Sequence, residues 1–208
     1  LPSFNSKTSF LLSSLSGRAP VKRFLKLSAS SFEEKTLRFI FEDGEVCKLD
    51  REGGYYRRHF HGNLNPAKCA DFAFLDACGC LWIIEVKDFR KTSKSEDHLN
   101  LGTEVAIKFR DTMAMLFALA HKKFDGDNLF ARHALKCKEI QFVFHVEGMC
   151  KTHSGMKESS AIQFMANLRS RLRQLKEWCG SSVLVVSKDI PAKQQLRWKV
   201  ESLPMNPK

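Results

Sequence analysis

Asp71, Glu85 and Lys87 form a group of two carboxylates and one ammonium that is suited to catalysis. They lie in the stretch "CADFAFLDACGCLWIIEVKDFR" (69–90), where two apolar runs flank a turn. Burying charged side chains is costly unless they are paired or bind a metal. Carboxylate oxygens are ligands that Mg²⁺ prefers. An ammonium beside them could stabilise the charge that develops on a phosphate under attack.

The same stretch predicts a β-hairpin that gathers these charges. Asp76 suits the first position of a type I turn, and Gly79 suits the left-handed residue that closes a three-residue loop. This register places Asp71 opposite Glu85, with Lys87 two residues further along the same face. The other face carries apolar side chains: Phe72, Phe74, Trp82, Ile84 and Val86. Opposed carboxylates repel each other, and a divalent cation would reverse that penalty.

Hydrophobic periodicity and turn residues predict the elements around the hairpin. In chain order these are a second hairpin at 36–50, a strand at 55–61, a helix at 97–124, a strand at 139–148, a helix at 159–179 and a strand at 182–187. The first helix has an apolar stripe: Val105, Phe109, Met113, Leu116, Phe117 and Ala120. Strands separated by long helices imply parallel crossovers. The predicted class is therefore α/β, with a mixed central sheet flanked by helices.

Asp71, thirteen residues, and then Glu85-Val86-Lys87 at the end of an apolar strand resemble the motif of the PD-(D/E)xK nuclease superfamily. The resemblance covers residues 50–188 in layout and three residues as a motif. It implies the restriction-endonuclease-like fold with its αβββαβ core. Pro66 lies five residues before Asp71, so the "PD" pair of the motif is broken here. No Q-x3-Y motif follows, which argues against the RecB-like branch.

The resemblance also implies roles for these residues. Asp71 and Glu85 would hold one or two Mg²⁺ (or Mn²⁺) ions, helped by the Val86 carbonyl. Lys87 would orient or activate the attacking water for metal-assisted hydrolysis. The implied activity is that of a metal-dependent nuclease cutting phosphodiester bonds, with DNA ahead of RNA as substrate. Many members act as dimers, so a homodimer is one expectation.

The sequence leaves open the roles of the other acidic residues near the motif. Many members of the superfamily carry another acidic residue on an earlier helix, and Glu33 and Glu34 are candidates. Ser31 and Glu34 also match a helix capping box, which alone would explain Glu34. Asp88 directly follows Lys87 and is expected to point to the opposite face of the strand.

The charge balance favours a polyanionic partner. Lys and Arg total 34 against 23 Asp and Glu, a net charge of +11, which points to nucleic acid ahead of a membrane surface. Arg57, His59 and His61 share one face of the predicted strand and could meet phosphates or only solvent. His145 is expected to be a core histidine, with an auxiliary catalytic role as the other option. The alternative functions are a non-catalytic nucleic-acid-binding module that keeps the nuclease fold and an interaction domain.

The chain divides into three predicted parts. Residues 1–36 are Ser-rich and basic and could be an arm, a helix (21–27) or a targeting segment. Residues 37–203 form the nuclease-like domain, and 204–208 a tail. No apolar run approaches the roughly 18 residues of a membrane span. Seven scattered cysteines suit reduced thiols, so an intracellular and mainly cytoplasmic location is expected.

Overall fold

The computed structural model describes residues 29–61, 67–90, 98–122, 127–148, 163, 166–170, 172–173, 183–188 and 196–204. Its elements, in chain order, are β1 (Ser30–Glu34), β2 (Leu37–Phe41), β3 (Gly44–Lys48), a π-helical turn (Tyr56–Phe60), β4 (Phe72–Asp76), β5 (Cys80–Asp88), α1 (His98–His121), α2 (Asp127–Ala134), β6 (Glu139–Glu147), β7 (Val183–Val186) and β8 (Trp198–Ser202). The predicted α/β class with a mixed sheet flanked by helices is confirmed. In the described part of the chain, no helix combines the length and apolar character needed to cross a membrane.

The strands form two sheets. The larger has the order β3-β4-β5-β6-β7, and the smaller has the order β1-β2-β8. In the larger sheet β4 is antiparallel to both neighbours, whereas β5, β6 and β7 are parallel to one another. It follows that β3, β5, β6 and β7 all end at the same edge of the sheet, where β4 begins.

The two faces of the larger sheet are covered differently. One face packs against α1 and α2 through a core that includes Ala73, Ile83 and Phe144. The other face packs against the smaller sheet through residues such as Phe72, Ile84 and Phe39. Residues 166–170 are also helical, and Leu168 and Leu172 are buried in the helix-side core. The molecule is therefore layered as helices, mixed sheet and small antiparallel sheet.

The β4–β5 hairpin has the predicted register. Leu75 pairs with Leu81, and Ala73 pairs with Ile83. Gly79 has a φ of 84°, which a side-chain-bearing residue adopts only at a cost. The Asp76 carboxylate accepts hydrogen bonds from the Cys78 and Cys80 amides and from the Trp82 indole. This one side chain satisfies the turn and fixes its register.

The prediction of a hairpin at 36–50 was wrong in its pairing. Both strands exist, but β2 pairs with β1 and β8, whereas β3 pairs with β4 in the other sheet. Because β1 and β8 occupy both edges of β2, no edge is left for β3. The chain turns at Asp43 (φ 55°) from one sheet into the other. An alternating pattern identifies a strand and its buried face, and it does not identify the neighbour.

The prediction of a strand at 55–61 was also wrong, because this segment forms the π-helical turn. The His61 amide donates to the Tyr56 carbonyl at 2.7 Å, an i to i+5 bond. Its buried residues are Tyr55, Tyr56 and Phe60, a spacing of four to five that fits a wide helical turn and not a strand. Arg57, His59 and His61 therefore do not share a strand face as predicted.

The long helix predicted at 97–124 is confirmed by α1. Its stripe is buried at Val105, Phe109, Leu116 and Ala120, but Phe117 is 60% exposed. The capping box predicted at Ser31 and Glu34 was wrong, since both lie in β1. The helix predicted at 21–27 lies outside the described residues, as do Ile162, Met165, Leu175 and Cys179 of the second helical stripe.

Candidate active site

The three predicted site residues lie at the edge of the sheet where β3 and β5 end and β4 begins. Asp71 immediately precedes β4, and its amide donates to the Ile84 carbonyl at 3.1 Å, one residue out of the register of the β4–β5 pairs. Asp71 and Glu85 are neighbours whose side chains interact, and Lys87 follows Glu85 on the same, helix-facing side of β5. The apolar side chains predicted for the opposite face lie there, against the smaller sheet.

Asp71 is held in place by the end of β5. The Val86 amide donates to Asp71 Oδ2 at 2.6 Å. In a strand the N–H and C=O of one residue point to the same side, so the Val86 carbonyl is also directed toward the β4 side, where Asp71 lies. The Val86 side chain points the other way, into the core between the sheets.

Glu85 is fully buried, and its charge is matched by a residue that the sequence did not reveal. Lys108 reaches from α1 and donates from Nζ to Glu85 Oε1 at 2.6 Å. Glu85 Oε2 has no hydrogen-bond partner among the described residues. Burial opposes the charge of Lys108, but the carboxylates of Glu85 and Asp71 outweigh it and raise the lysine pKa. One oxygen of the Glu85 carboxylate is therefore hydrogen-bonded, and the other has no partner among the described residues.

Asp71 and Glu85 carry the electrostatic cost of this arrangement. Burial, and then the neighbouring Glu85, raise the pKa of Asp71 well above its ordinary value. Burial also raises the pKa of Glu85, with Lys108 opposing that shift. The side chains of Asp71 and Glu85 are close enough for each to act on the pKa of the other. Two adjacent carboxyls with raised pKa values favour a proton or a cation between them.

Two more carboxylates complete an acidic group with Asp71. Oxygens of Glu34, Asp50 and Asp71 all lie within 4.8 Å of one another. Glu34 ends β1 and Asp50 follows β3, so both sheets contribute. Lys48 Nζ donates to Glu34 Oε2 at 2.9 Å, whereas Asp50 Oδ1 is buried without a partner among the described residues. Burial and Glu34 raise the pKa of Asp50.

Lys87 is half-buried beside the carboxylates without being tied to one of them. Its charge lowers the pKa of both Glu85 and Glu104, after the larger effects of the residues bonded to each. No ion pair joins Lys87 to a residue in the described ranges. The ammonium that binds Glu85 is that of Lys108. Lys87 is therefore the ammonium of this site that could turn toward a substrate.

Contacts from the chain just before Asp71 fix α1 over the site. Lys68 binds α1 twice, through its amide to Asp111 Oδ2 at 3.0 Å and through Nζ to Glu104 at 2.9 Å. The Ala70 amide donates to Thr112 Oγ1 at 2.8 Å. These contacts fix the position of the segment that carries Asp71 relative to the helix that carries Lys108.

Other residues considered from the sequence lie away from this group. Asp88 faces the opposite side of the sheet, as expected, and binds Thr36 and Arg90. His145 is buried on that opposite face and binds Glu147 at 2.9 Å, which agrees with a core histidine. Glu33 forms an ion pair with Arg38 at 3.0 Å at the surface.

Of the residues missed from the sequence, Asp50 and Lys108 had weak signals. Asp50 is a carboxylate directly after a predicted strand, where the strand ends meet at the sheet edge. Lys108 lies beside Phe109, at the margin of the apolar stripe of α1. A lysine there is ordinarily assigned to solvent. Only the packing of α1 on β5 shows that this one is turned inward.

The carboxylates of this region are of the kind that could hold a divalent cation, and the oxygens of Glu34, Asp50 and Asp71 lie within 4.8 Å of one another. Glu85 Oε2 and Asp50 Oδ1 are buried carboxylate oxygens without partners among the described residues. Asp71 lies beside both residues, with an elevated pKa that a positive charge would lower. Hard oxygen donors of this kind suit Mg²⁺ or Mn²⁺. The lysines bound to Glu34 and Glu85 leave these two oxygens free.

Comparison with known proteins adds no assignment. No protein-family model matches the chain, no curated protein is significantly similar to it, and no solved structure matches its fold.

Proposed function

We propose that this protein is a metal-dependent nuclease that hydrolyses phosphodiester bonds of nucleic acid, with DNA as the first substrate to test. The observation that carries the proposal is the meeting of Asp71 and Glu85 at one sheet edge. Both carboxylates are buried, one oxygen of Glu85 is unsatisfied, and Lys87 stands beside them. Two opposed buried carboxylates are unfavourable for the fold by themselves.

The order of elements supports a restriction-endonuclease-like core. The antiparallel strands β3, β4 and β5 are followed by the helices α1 and α2 and then by β6, which is parallel to β5. This order is similar to the βββαβ part of the αβββαβ core that the motif resemblance implies. Ahead of it the described chain has the β1–β2 hairpin in place of a helix, so the upstream carboxylate Glu34 comes from a strand.

In this proposal Asp71 and Glu85, with the Val86 carbonyl, hold the cation, and Asp50 and Glu34 extend the ligand set. A bound Mg²⁺ or Mn²⁺ would supply Lewis acidity toward the phosphate and toward the attacking water. Lys108 keeps Glu85 ionised and oriented through its 2.6 Å hydrogen bond. Lys87 faces the substrate, where its ammonium orients the attacking water and offsets charge on the phosphate.

A non-catalytic nucleic-acid-binding module is the second candidate, and one observation favours it. Lys108 is already bound to Glu85, and Lys48 to Glu34. These ammonium groups neutralise two of the four carboxylates without a metal. In that case the charged cluster would be a structural ion network, and the basic chain would bind nucleic acid without cutting it.

The test is cleavage of supercoiled plasmid, linear duplex, single-stranded DNA and RNA, with Mg²⁺, Mn²⁺ or a chelator. Asp71→Ala and Lys87→Ala are assayed beside the parent. We expect metal-dependent cutting by the parent and its loss in both variants. Binding of the same substrates without cutting under every metal condition would support the non-catalytic module instead.

A further inference from the structure

The π-helical turn presents one arginine beside the acidic group. Tyr56 and Phe60 anchor the turn in the helix-side core, and Arg57 between them is exposed. Single π-helical turns are rare and occur frequently at functional sites. Here the turn lies next to Asp50, to which Arg57 is hydrogen-bonded.

Arg57 is held against Asp50 by the backbone and not by a carboxylate. Its Nε donates to the Asp50 carbonyl at 3.2 Å. The exposed arginines Arg38 and Arg110 instead bind acidic side chains. No hydrogen bond joins the terminal nitrogens of the Arg57 guanidinium to the part of the chain that the structure describes. One edge of the guanidinium is thus fixed, and its two-nitrogen edge is open.

An open two-nitrogen edge is the geometry in which arginine binds a phosphate. The planar guanidinium donates two parallel hydrogen bonds to phosphate oxygens, which a lysine cannot do. Asp50 belongs to the acidic group with Glu34 and Asp71, so Arg57 flanks that group on the Asp50 side. Lys87 stands on the Glu85 side, at the other end of the carboxylates.

We propose that Arg57 is a substrate-binding residue that holds a backbone phosphate of the nucleic acid next to the cleaved bond. The inference rests on the proposed function, to which it adds a substrate-binding residue and the path of the nucleic acid across the site. The nucleic-acid strand would run across the acidic group from Lys87 to Arg57. Specificity would not come from this contact, because phosphate contacts position a strand and do not identify its bases.

The experiment measures binding of short fluorescein-labelled duplex and single-stranded oligonucleotides by anisotropy, with Ca²⁺ in place of Mg²⁺, over a range of salt concentrations. The full chain is compared with Arg57→Gln, Arg57→Lys and a control, Arg197→Gln. Arg197 is an exposed arginine at the opposite end of the hairpin, 4.0 Å from Asp76. Each phosphate contact contributes about 0.9 (duplex) or 0.7 (single strand) to the slope of log K against log salt concentration.

For Arg57→Gln we expect roughly five- to tenfold weaker binding and a salt slope smaller by about one phosphate contact. Arg57→Lys should retain the slope and lose part of the affinity, and Arg197→Gln should match the parent. Arg57→Gln that binds like the parent overturns the inference and leaves the nuclease proposal standing. A parent chain that binds neither oligonucleotide overturns both. Equal losses in Arg57→Gln and Arg197→Gln would also overturn it, because they indicate general charge and not a site.

Discussion

Glu85 of β5 and Lys108 of α1 form a buried ion pair, with Nζ 2.6 Å from Oε1. The Glu85 side chain is 1% exposed and that of Lys108 is 19% exposed. The pair joins the sheet to the helix at the level of the candidate active site. It also determines how much of the Glu85 charge remains for a metal, since only Oε2 is without a partner among the described residues.

Replacing Lys108 by Met should destabilise the protein. Removing one partner of a buried pair leaves an uncompensated charge, which costs about 3–5 kcal/mol when both groups are deeply buried. Because Lys108 retains some exposure, we expect a loss of about 2–3 kcal/mol in the free energy of unfolding, measured by urea denaturation. The double variant with Glu85→Gln should recover most of it. Additive losses in the double variant would show that the two residues are not coupled.

Replacing Asp71 by Asn should make the metal-free protein more stable while removing cleavage. The substitution takes away a buried charge next to Glu85, and the amide oxygen of Asn can still accept the hydrogen bond from the Val86 amide. We expect a gain of about 1 kcal/mol in the free energy of unfolding at neutral pH, as found where a functional site is strained. A loss of stability in Asp71→Asn would mean that the charge of Asp71 is structural.

The stability of the metal-free protein should carry a pH dependence that originates in Asp71. Its pKa is raised in the folded protein above the ordinary 3.8. Its contribution is therefore fully present below about pH 3.8 and is lost as the pH rises through the higher folded value. Asp88, with a pKa lowered to about 2, acts oppositely, losing its contribution as the pH falls toward 2. The difference between the parent and Asp71→Asn removes the contribution of Asp88 and reports on Asp71 together with its neighbour Glu85.

The free energy of unfolding of Asp71→Asn, relative to that of the parent, should therefore increase progressively as the pH rises from 4 to 8 in the presence of chelator. Urea denaturation at a series of pH values measures this difference. A difference that stays constant over that range would show that Asp71 keeps an ordinary pKa in the folded chain.

Divalent cations should stabilise the parent protein. A ligand at a hundred times its dissociation constant adds about 2.7 kcal/mol, which corresponds to a rise of roughly 5–10 °C in Tm for a chain of this size. We expect this rise with Mg²⁺ or Mn²⁺ and its loss in Asp71→Asn. Glu42→Gln is the matched control, since Glu42 pairs with Lys199 at the surface. An equal rise in Tm for the parent, Asp71→Asn and Glu42→Gln would show that the cation binds at another site.

Replacing Asp76 by Ala should destabilise the fold without changing the catalytic rate of the folded protein. Three donors lose their acceptor: the Cys78 amide, the Cys80 amide and the Trp82 indole. At about 1 kcal/mol for each hydrogen bond, we expect a loss of about 3 kcal/mol in the free energy of unfolding. The cleavage rate per folded molecule should be unchanged. A reduced rate in fully folded protein would connect this turn to the active site.

The hairpin could be predicted because its information is local. Asp76 and Gly79 determine the turn, and the turn sets the pairing of β4 with β5 as far as Phe72 and Ile84, the residues next to Asp71 and Glu85. The apolar alternation in β5 then assigns each side chain to a face. The placement of the three predicted site residues on one side of the sheet follows from the sequence alone.

The remaining parts of the site depend on packing between distant segments. Nothing near Lys108 in the sequence shows that α1 turns it toward Glu85. The π-helical turn at 56–60 was predicted as a strand because its aromatic residues suit a strand equally well. The separation of β2 from β3 depends on β8, which pairs with β2 from about 160 residues further along the chain.

The proposed phosphodiester cleavage depends on a metal held by Asp71 and Glu85. The most direct measurement is the rate of plasmid cleavage under single-turnover conditions as a function of Mg²⁺ concentration, for the parent, Asp71→Asn and Glu42→Gln. We expect a rate that saturates with Mg²⁺ in the parent and in Glu42→Gln, is abolished by chelator, and is lost in Asp71→Asn. Cleavage that persists in folded Asp71→Asn, or that is absent from the parent at every Mg²⁺ concentration, would contradict the proposed function.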